Sequence, residues 1–273
     1  MYCKISEVLK MKFEPVAIIW SDEKPENALQ FSEHKWGCVM AMFAQAAKGK
    51  TAVFDFNTYG CIAASWGLGF GPRLDEFNGG EECFYYFLSS GNENWEEGRK
   101  KAEELKPLMR QESYEHFVHG EKYVKSPELV KKWLGNLPIV KTDKKYVIFK
   151  PLKEVNENES IQVIIFPVDA NQLSALVVLA NYARETNENV YAPFAAGCQS
   201  VGVLAYAEMN KEFPRAIIGN TDISSRLYSS HLLGTDLLTF AVPYKMYLEM
   251  EENVDSSFLR QHQWERLLEK AGL

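Results

Sequence analysis

Short apolar runs of strand type alternate with stretches of helical spacing along the whole chain, and this alternation limits the fold more than any other feature. The runs "PVAIIW" from Pro15, "TAVFDF" from Thr51, "KYVIFKPL" from Lys145, "IQVIIFPV" from Ile161, "RAIIGN" from Arg215 and "LLTFAVPYKMYLEM" from Leu237 read as strands. So does the aromatic run "EECFYYFL" from Glu81. Between them, apolar residues recur at spacings of three and four, as in Ile5, Val8 and Leu9 near the start. "DANQLSALVVLANYARE" reads as a helix capped by Asp169, and "SPELVKKWLGNLP" as one capped by Ser126 with Pro127 at its first position. A polar helical stretch runs from Asn94 to about Gln111, and an amphipathic helix from Ser256 closes the chain.

Alternation of this length predicts an α/β or α+β fold, a mixed sheet with flanking helices. The segments "PVAIIWSDEKPENALQF" and "QVIIFPVDANQLSALVV" share an order of strand, Asp, Asn and apolar tail. They suggest a single domain over 1–273 built from two related halves, 1–110 and 139–273, joined by a helical segment.

Composition removes several functions. The 30 basic and 37 acidic residues leave a net charge of −7, and the basic clusters are short and interrupted, so no stripe for nucleic acid is expected. The best apolar run, "LSALVVLANYA" after Gln172, is about half of the roughly 20 residues a membrane span needs. The amphipathic start lacks the apolar core of a signal peptide, so the expected location is cytoplasmic. Five cysteines in such a compartment are expected as free thiols or metal ligands rather than as disulfides.

Those cysteines are not placed at random. Cys38, Cys61 and Cys198 each follow a glycine and each precede an apolar helical run, whereas chance predicts about 0.35 such glycines for five cysteines. Glycine permits tight turns and close approach of another segment. A sulfur at the start of a helix meets amide groups that favour the thiolate, the form that binds metal or attacks an electrophile. The three are therefore candidates for one site holding an iron–sulfur cluster, with zinc as second choice, although their separations match neither a zinc ribbon nor a bacterial ferredoxin. His34 is a candidate fourth ligand. Two alternatives stand beside this: a cluster-free pocket lined by helix N-termini that binds a small molecule, or an enzyme with a cysteine nucleophile, for which none of the five histidines offers a local signature. Cys3 and Cys83 read as core residues, and His116 and His119 as a solvent-facing pair.

"GLGFG" from Gly67 departs from dinucleotide and phosphate-loop patterns and reads as a tight loop. "IIGNTDISSRLYSS" from Ile217 reads as a strand followed by a polar loop. There Asp222 and Arg226 either contact a small anionic ligand or brace the loop between themselves.

The ordered series "FEPVAIIW", "GCVMAMFAQAAKGKTAVFDFNTYGCIAASWGLGFG", "VIIFPVDANQLSALV", "FAAGCQSV", "GNTDISSRLY" and "FAVPYKMYLEM" resembles the ArCR family of anaerobic bacteria and archaea over nearly the whole chain. The resemblance implies a set of three cysteines matching Cys38, Cys61 and Cys198, and an acidic-to-arginine loop matching Asp222 to Arg226. It carries no activity with it. The chain departs from many relatives at "CIAAS", where Ala63 and Ala64 replace a Pro-Gly or Gly-Gly pair. The expectation is a redox or metal-binding protein whose partners are a small anion or a redox protein.

Overall fold

The computed structural model describes residues 1–273. In order, the chain forms α1 (Lys4–Val8), β1 (Val16–Ser21), α2 (Val39–Ala47), β2 (Ala52–Phe54), α3 (Ile62–Leu68), α4 (Gly80–Leu88), α5 (Glu96–Leu105), α6 (Gln111–His119) and α7 (Pro127–Gly135). It continues with β3 (Tyr146–Pro151), β4 (Ile161–Val168), α8 (Ala170–Asn181), β5 (Val190–Tyr191), α9 (Gly197–Val201), α10 (Val203–Tyr206), β6 (Ala216–Gly219), α11 (Ile223–Leu233), β7 (Leu238–Pro243), α12 (Tyr244–Asn253) and α13 (His262–Ala271). The expected α/β class with a mixed sheet is what forms. Seven strands lie in the order β2-β3-β1-β4-β7-β6-β5, antiparallel throughout except for the β5–β6 pair.

Each central strand is apolar on both faces because helices cover both. Ala17 and Ile19 of β1, Ile164 and Phe166 of β4, and Phe240 and Val242 of β7 face a core shared with α1, α8, α12 and the Trp264 ring of α13. Alternate residues such as Val16, Ile18, Val163 and Ile165 are equally buried on the other face, where α2, α9 and α10 pack. The β1–β4 register slips between Ile18 and Ile19, which puts Ile161 and Ile164 on the same face despite their odd spacing. Asp169 caps α8 through a reciprocal pair of bonds with Gln172, as its position predicts.

The chain divides into a larger unit, 1–71 with 139–273, and a smaller helical one, 72–138. This is not the division into 1–110 and 139–273. Residues 72–110 go with α6 and α7 because they share a separate core of Cys83, Ala102, Leu105 and Phe117, packed by Phe77, Trp95 and Met109.

Three local expectations are corrected. "EECFYYFL" is the helix α4, because Cys83 enters that small core and Phe84 packs on the Phe77 ring beside it, and packing overrides the β preference of aromatics. "YKMYLEM" is the helix α12, since Met246, Tyr247 and Met250 recur at helical spacing and Pro243 ends the β7 ladder. The polar loop after Gly219 is only three residues long before α11 begins at Ile223. No helix is long and apolar enough to cross a membrane.

Candidate thiol site

Cys38 and Cys61 are the residues immediately before α2 and α3, both in extended backbone, and Cys198 is the second residue of α9. Their glycines explain how three segments distant in sequence come together. Gly60 has φ +88°, and a Cβ there would stand 2.4 Å from the carbonyl oxygen of Gly37, so the first two Gly-Cys turns touch backbone to backbone. A Cβ on Gly197 would meet Met40 and Ser225 at 2.7 Å. Further along α3, a Cβ on Gly67 would lie 2.7 Å from the Cys198 carbonyl, and one on Gly202 only 2.0 Å from the Gly67 oxygen. The helical run from Cys198 therefore breaks at Gly202, where the backbone turns away from helix geometry. Bare backbone at these points lets α3 lie directly on α9.

The thiols interact as a group. The neighbouring Cys198 thiol holds Cys61 below the ordinary thiol range, while Cys61 raises Cys198 well above it. Burial raises both, and the amides of Ala64 and Ala63 favour the Cys61 thiolate. Burial pushes Cys38 up to about 12, with the neighbouring Cys61 charge adding to it and the amides of Ala41 and Met40 opposing. Cys198 is buried; Cys38 and Cys61 retain partial exposure as residues, although atoms close around the Cys61 sulfur.

Asp222 is the fourth member. As the cap of α11 it accepts from the Ser224 amide at 2.9 Å, and it also accepts from the Gly197 amide at 3.4 Å at the start of α9. Its charge raises all three thiols. Arg226 takes a different direction. Its guanidinium donates to the carbonyls of Asn220, Thr235 and Leu237, tying the start of α11 to the loop before β7, and forms no ion pair with Asp222. His34 is exposed, with its backbone in the left-handed region.

Cys83 lies in the core of the small unit. Cys3 is buried and bonded to Glu251 at 3.1 Å. His119 pairs with Glu93 and Glu115 at the surface, as a solvent-facing histidine would. Sequence reasoning placed Asn220 in the polar loop but missed its bracing role: it accepts from the Ser225 hydroxyl at 3.0 Å and donates to the Leu237 carbonyl at 3.2 Å from a left-handed backbone. The Asn-Thr-Asp order before a helix was the available signal. It also missed an edge-on pair of Trp36 and Tyr228 rings, 5.0 Å apart and exposed, two residues before Cys38.

The sequence profile of the DUF169 family, described as uncharacterised ArCR, matches residues 4–253. The chain belongs to the ArCR family. No curated protein and no solved structure matches it significantly. The match covers every member of the ArCR thiol site, Cys38 to Asp222. In donor type the site suits soft metals, with three sulfurs and a carboxylate oxygen. As the side chains stand, no group of three or more His, Cys, Asp or Glu is arranged to hold an ion.

Burial raises the Asp222 carboxyl above its ordinary 3.8, with the Gly197, Ser224 and Ser225 amides opposing. A raised folded value means that its contribution to stability is whole below pH 3.8 and is lost as pH rises through the folded value. Asp222→Asn keeps one capping oxygen and sets its amide nitrogen against the second N–H, so its melting temperature relative to the parent ArCR protein is expected to be higher at pH 7 than below pH 3.8. The same variant should alkylate faster at Cys38 and Cys61 with iodoacetamide. Unchanged alkylation rates would show that the carboxylate does not act on the thiols.

Proposed function

We propose that this ArCR protein is a redox or metal-binding protein whose Cys38, Cys61 and Cys198 thiolates hold an iron–sulfur cluster. The observation that supports the reading is the set of glycine contacts that leave no room for side chains and bring the three Gly-Cys segments against one another. Core cysteines do not require such an arrangement. Asp222, whose charge acts on all three thiols, would supply an oxygen donor beside them. When bound, such a cluster supplies one-electron transfer and a Lewis-acidic iron. The chain's own residues set the conditions. Cys38 and Cys198 hold their protons tightly, so loading must displace them and should strengthen with rising pH. The added charge of Asp222 favours a metal cation over an anion, and the donors of Arg226 are committed to carbonyls.

The two pockets at the surface, of about 240 and 190 Å3, are lined by residues such as Met1, Cys3 and Lys153 and by Lys12, Asp169 and Leu237, and include no residue of the thiol site. The test is anaerobic purification and reconstitution with iron and sulfide, followed by metal and sulfide analysis and a visible absorption spectrum. Iron and sulfide are expected together, lost by more than tenfold in Cys61→Ser and retained in Cys83→Ser. Stoichiometric zinc without sulfide would replace the cluster by a thiolate zinc site. Protein that takes up neither metal would overturn the proposal.

A further inference from the structure

The segments that build the thiol site also carry an apolar rim. Trp36 stands two residues before Cys38, Phe56 five before Cys61, Phe194 four before Cys198 and Ile223 directly after Asp222, and all four are exposed. Leu227 and Tyr228 extend the same surface along α11. We infer that this rim is the interface through which two copies of the chain pair about a two-fold axis. Pairing of this kind does not depend on what the thiols bind.

Contacts among the loops bring these side chains together. The Trp36 ring meets that of Tyr228 at 5.0 Å. The His34 amide donates to the Asn57 carbonyl at 2.8 Å, which ties the loop before Cys38 to the loop of Phe56. The Gly197 amide donates to Asp222 at 3.4 Å, which ties the segment after Phe194 to the start of α11 at Ile223. Ile223 and Leu227, one helical turn apart, lie on the side of α11 opposite the buried Ser225 and Ser229.

Charge selects the partner. Segments 31–47, 54–70, 189–205 and 219–234 hold only Glu33, Lys35, Asp55, Asp222 and Arg226 as charged residues, in a chain that is 25% charged. Of these, Asp222 caps α11, Arg226 is held by carbonyls, and Asp55 is bonded to Thr58 and Gln30. Glu33 and Lys35 remain, with opposite signs. A molecule of net charge −7 therefore presents a nearly neutral apolar face here. A charged redox partner would be steered by complementary charge, and this face offers little. A two-fold axis sets a patch against its own copy, so a charged patch repels itself, whereas a neutral apolar one fits itself. The six side chains together expose roughly 600 Å², close to the ~800 Å² that each partner contributes to a standard interface.

The test is sedimentation equilibrium of the whole chain at micromolar concentration, with and without metal. Expected is twice the 31.2 kDa of one chain, with no weakening as salt is raised. Leu227→Lys and Trp36→Lys, at exposed positions, should keep the circular dichroism spectrum of the parent and weaken pairing by about a hundredfold or more. Leu248→Lys, at an exposed position of α12 outside the rim, should leave pairing unchanged. A photo-reactive phenylalanine analogue at position 227 should cross-link to segment 31–47 or 219–234 of a second copy. A monomeric parent chain would overturn the inference. So would a dimer that both lysine variants leave intact, or cross-links confined to other segments, because the copies would then pair elsewhere. The parent chain decides the first outcome even where a variant fails to fold. Iron uptake is measured separately, so a chain that pairs but takes no metal refutes the cluster and not this surface.

Discussion

Replacing Gly202 with alanine is expected to cost about 3 kcal/mol or more and to separate Cys61 from Cys198. The new methyl would stand 2.0 Å from the Gly67 carbonyl oxygen, 2.9 Å from its carbon and 3.0 Å from the Cys198 oxygen. All three are backbone atoms, so no side chain can rotate away and α3 must move off α9. Overpacking by a methyl typically costs about 1–3 kcal/mol, and a backbone clash belongs at the top of that range or above it. For a chain of this size the melting temperature should fall by about 6–12 °C. Native-state titration with a thiol reagent should also find Cys198 newly reactive. Gly135→Ala is the control. That glycine ends α7 with open space around its Cβ position and φ outside the left-handed region, so alanine should be neutral or stabilise by up to about 1 kcal/mol. Equal effects at the two positions would remove the close contact from the account of the thiol site.

Phe166→Ala should destabilise by about 3–5 kcal/mol without altering the thiols. Phe166 lies in β4 between β1 and β7, has no exposed surface, and packs against the Tyr247 ring at 6.2 Å between centroids. It points to the face covered by α8 and α12, a core that holds Cys3 but not Cys38, Cys61 or Cys198. Truncation leaves a cavity that β-sheet neighbours cannot collapse to fill. Phe166→Leu keeps most of the apolar volume and should recover more than half of the loss. Denaturant midpoints measure both, and the native alkylation pattern of Cys38, Cys61 and Cys198 should stay that of the parent. A changed pattern would mean that the two faces of the sheet are coupled, and that the thiol site depends on the whole core rather than on its glycines.

Much of the architecture was legible in local patterns. The strands from Pro15, Thr51, Lys145, Ile161, Arg215 and Leu237 form because β-branched and aromatic residues buried on both faces give continuous apolar runs. Capping chemistry placed the starts of α7 at Ser126 and α8 at Asp169, since both caps act within three residues. Local reasoning failed where a distant partner decided the outcome. Aromatic "FYYFL" is helical because a small core formed with α5 and α6 buries one of its faces, and no neighbouring residue announces that core. The third Gly-Cys helix breaks because Gly67, 135 residues earlier, occupies the space beside Gly202.

By its own pattern the sequence determined an α/β chain with a mixed sheet, membership of the ArCR family, and the singling out of Cys38, Cys61 and Cys198 by the glycines before them. These are short-range properties: period, cap and neighbour are written within a few residues of each other. Only the tertiary structure decided where those cysteines meet, since 23 and 137 residues separate them and no local signal encodes a contact across such a distance. It also decided that Asp222 joins them by capping two helices at once, while Arg226, four residues on, turns to the carbonyls of its own loop. A side chain's partner depends on which backbone groups the fold leaves unpaired nearby, and that is settled only when α9 and α11 have packed together.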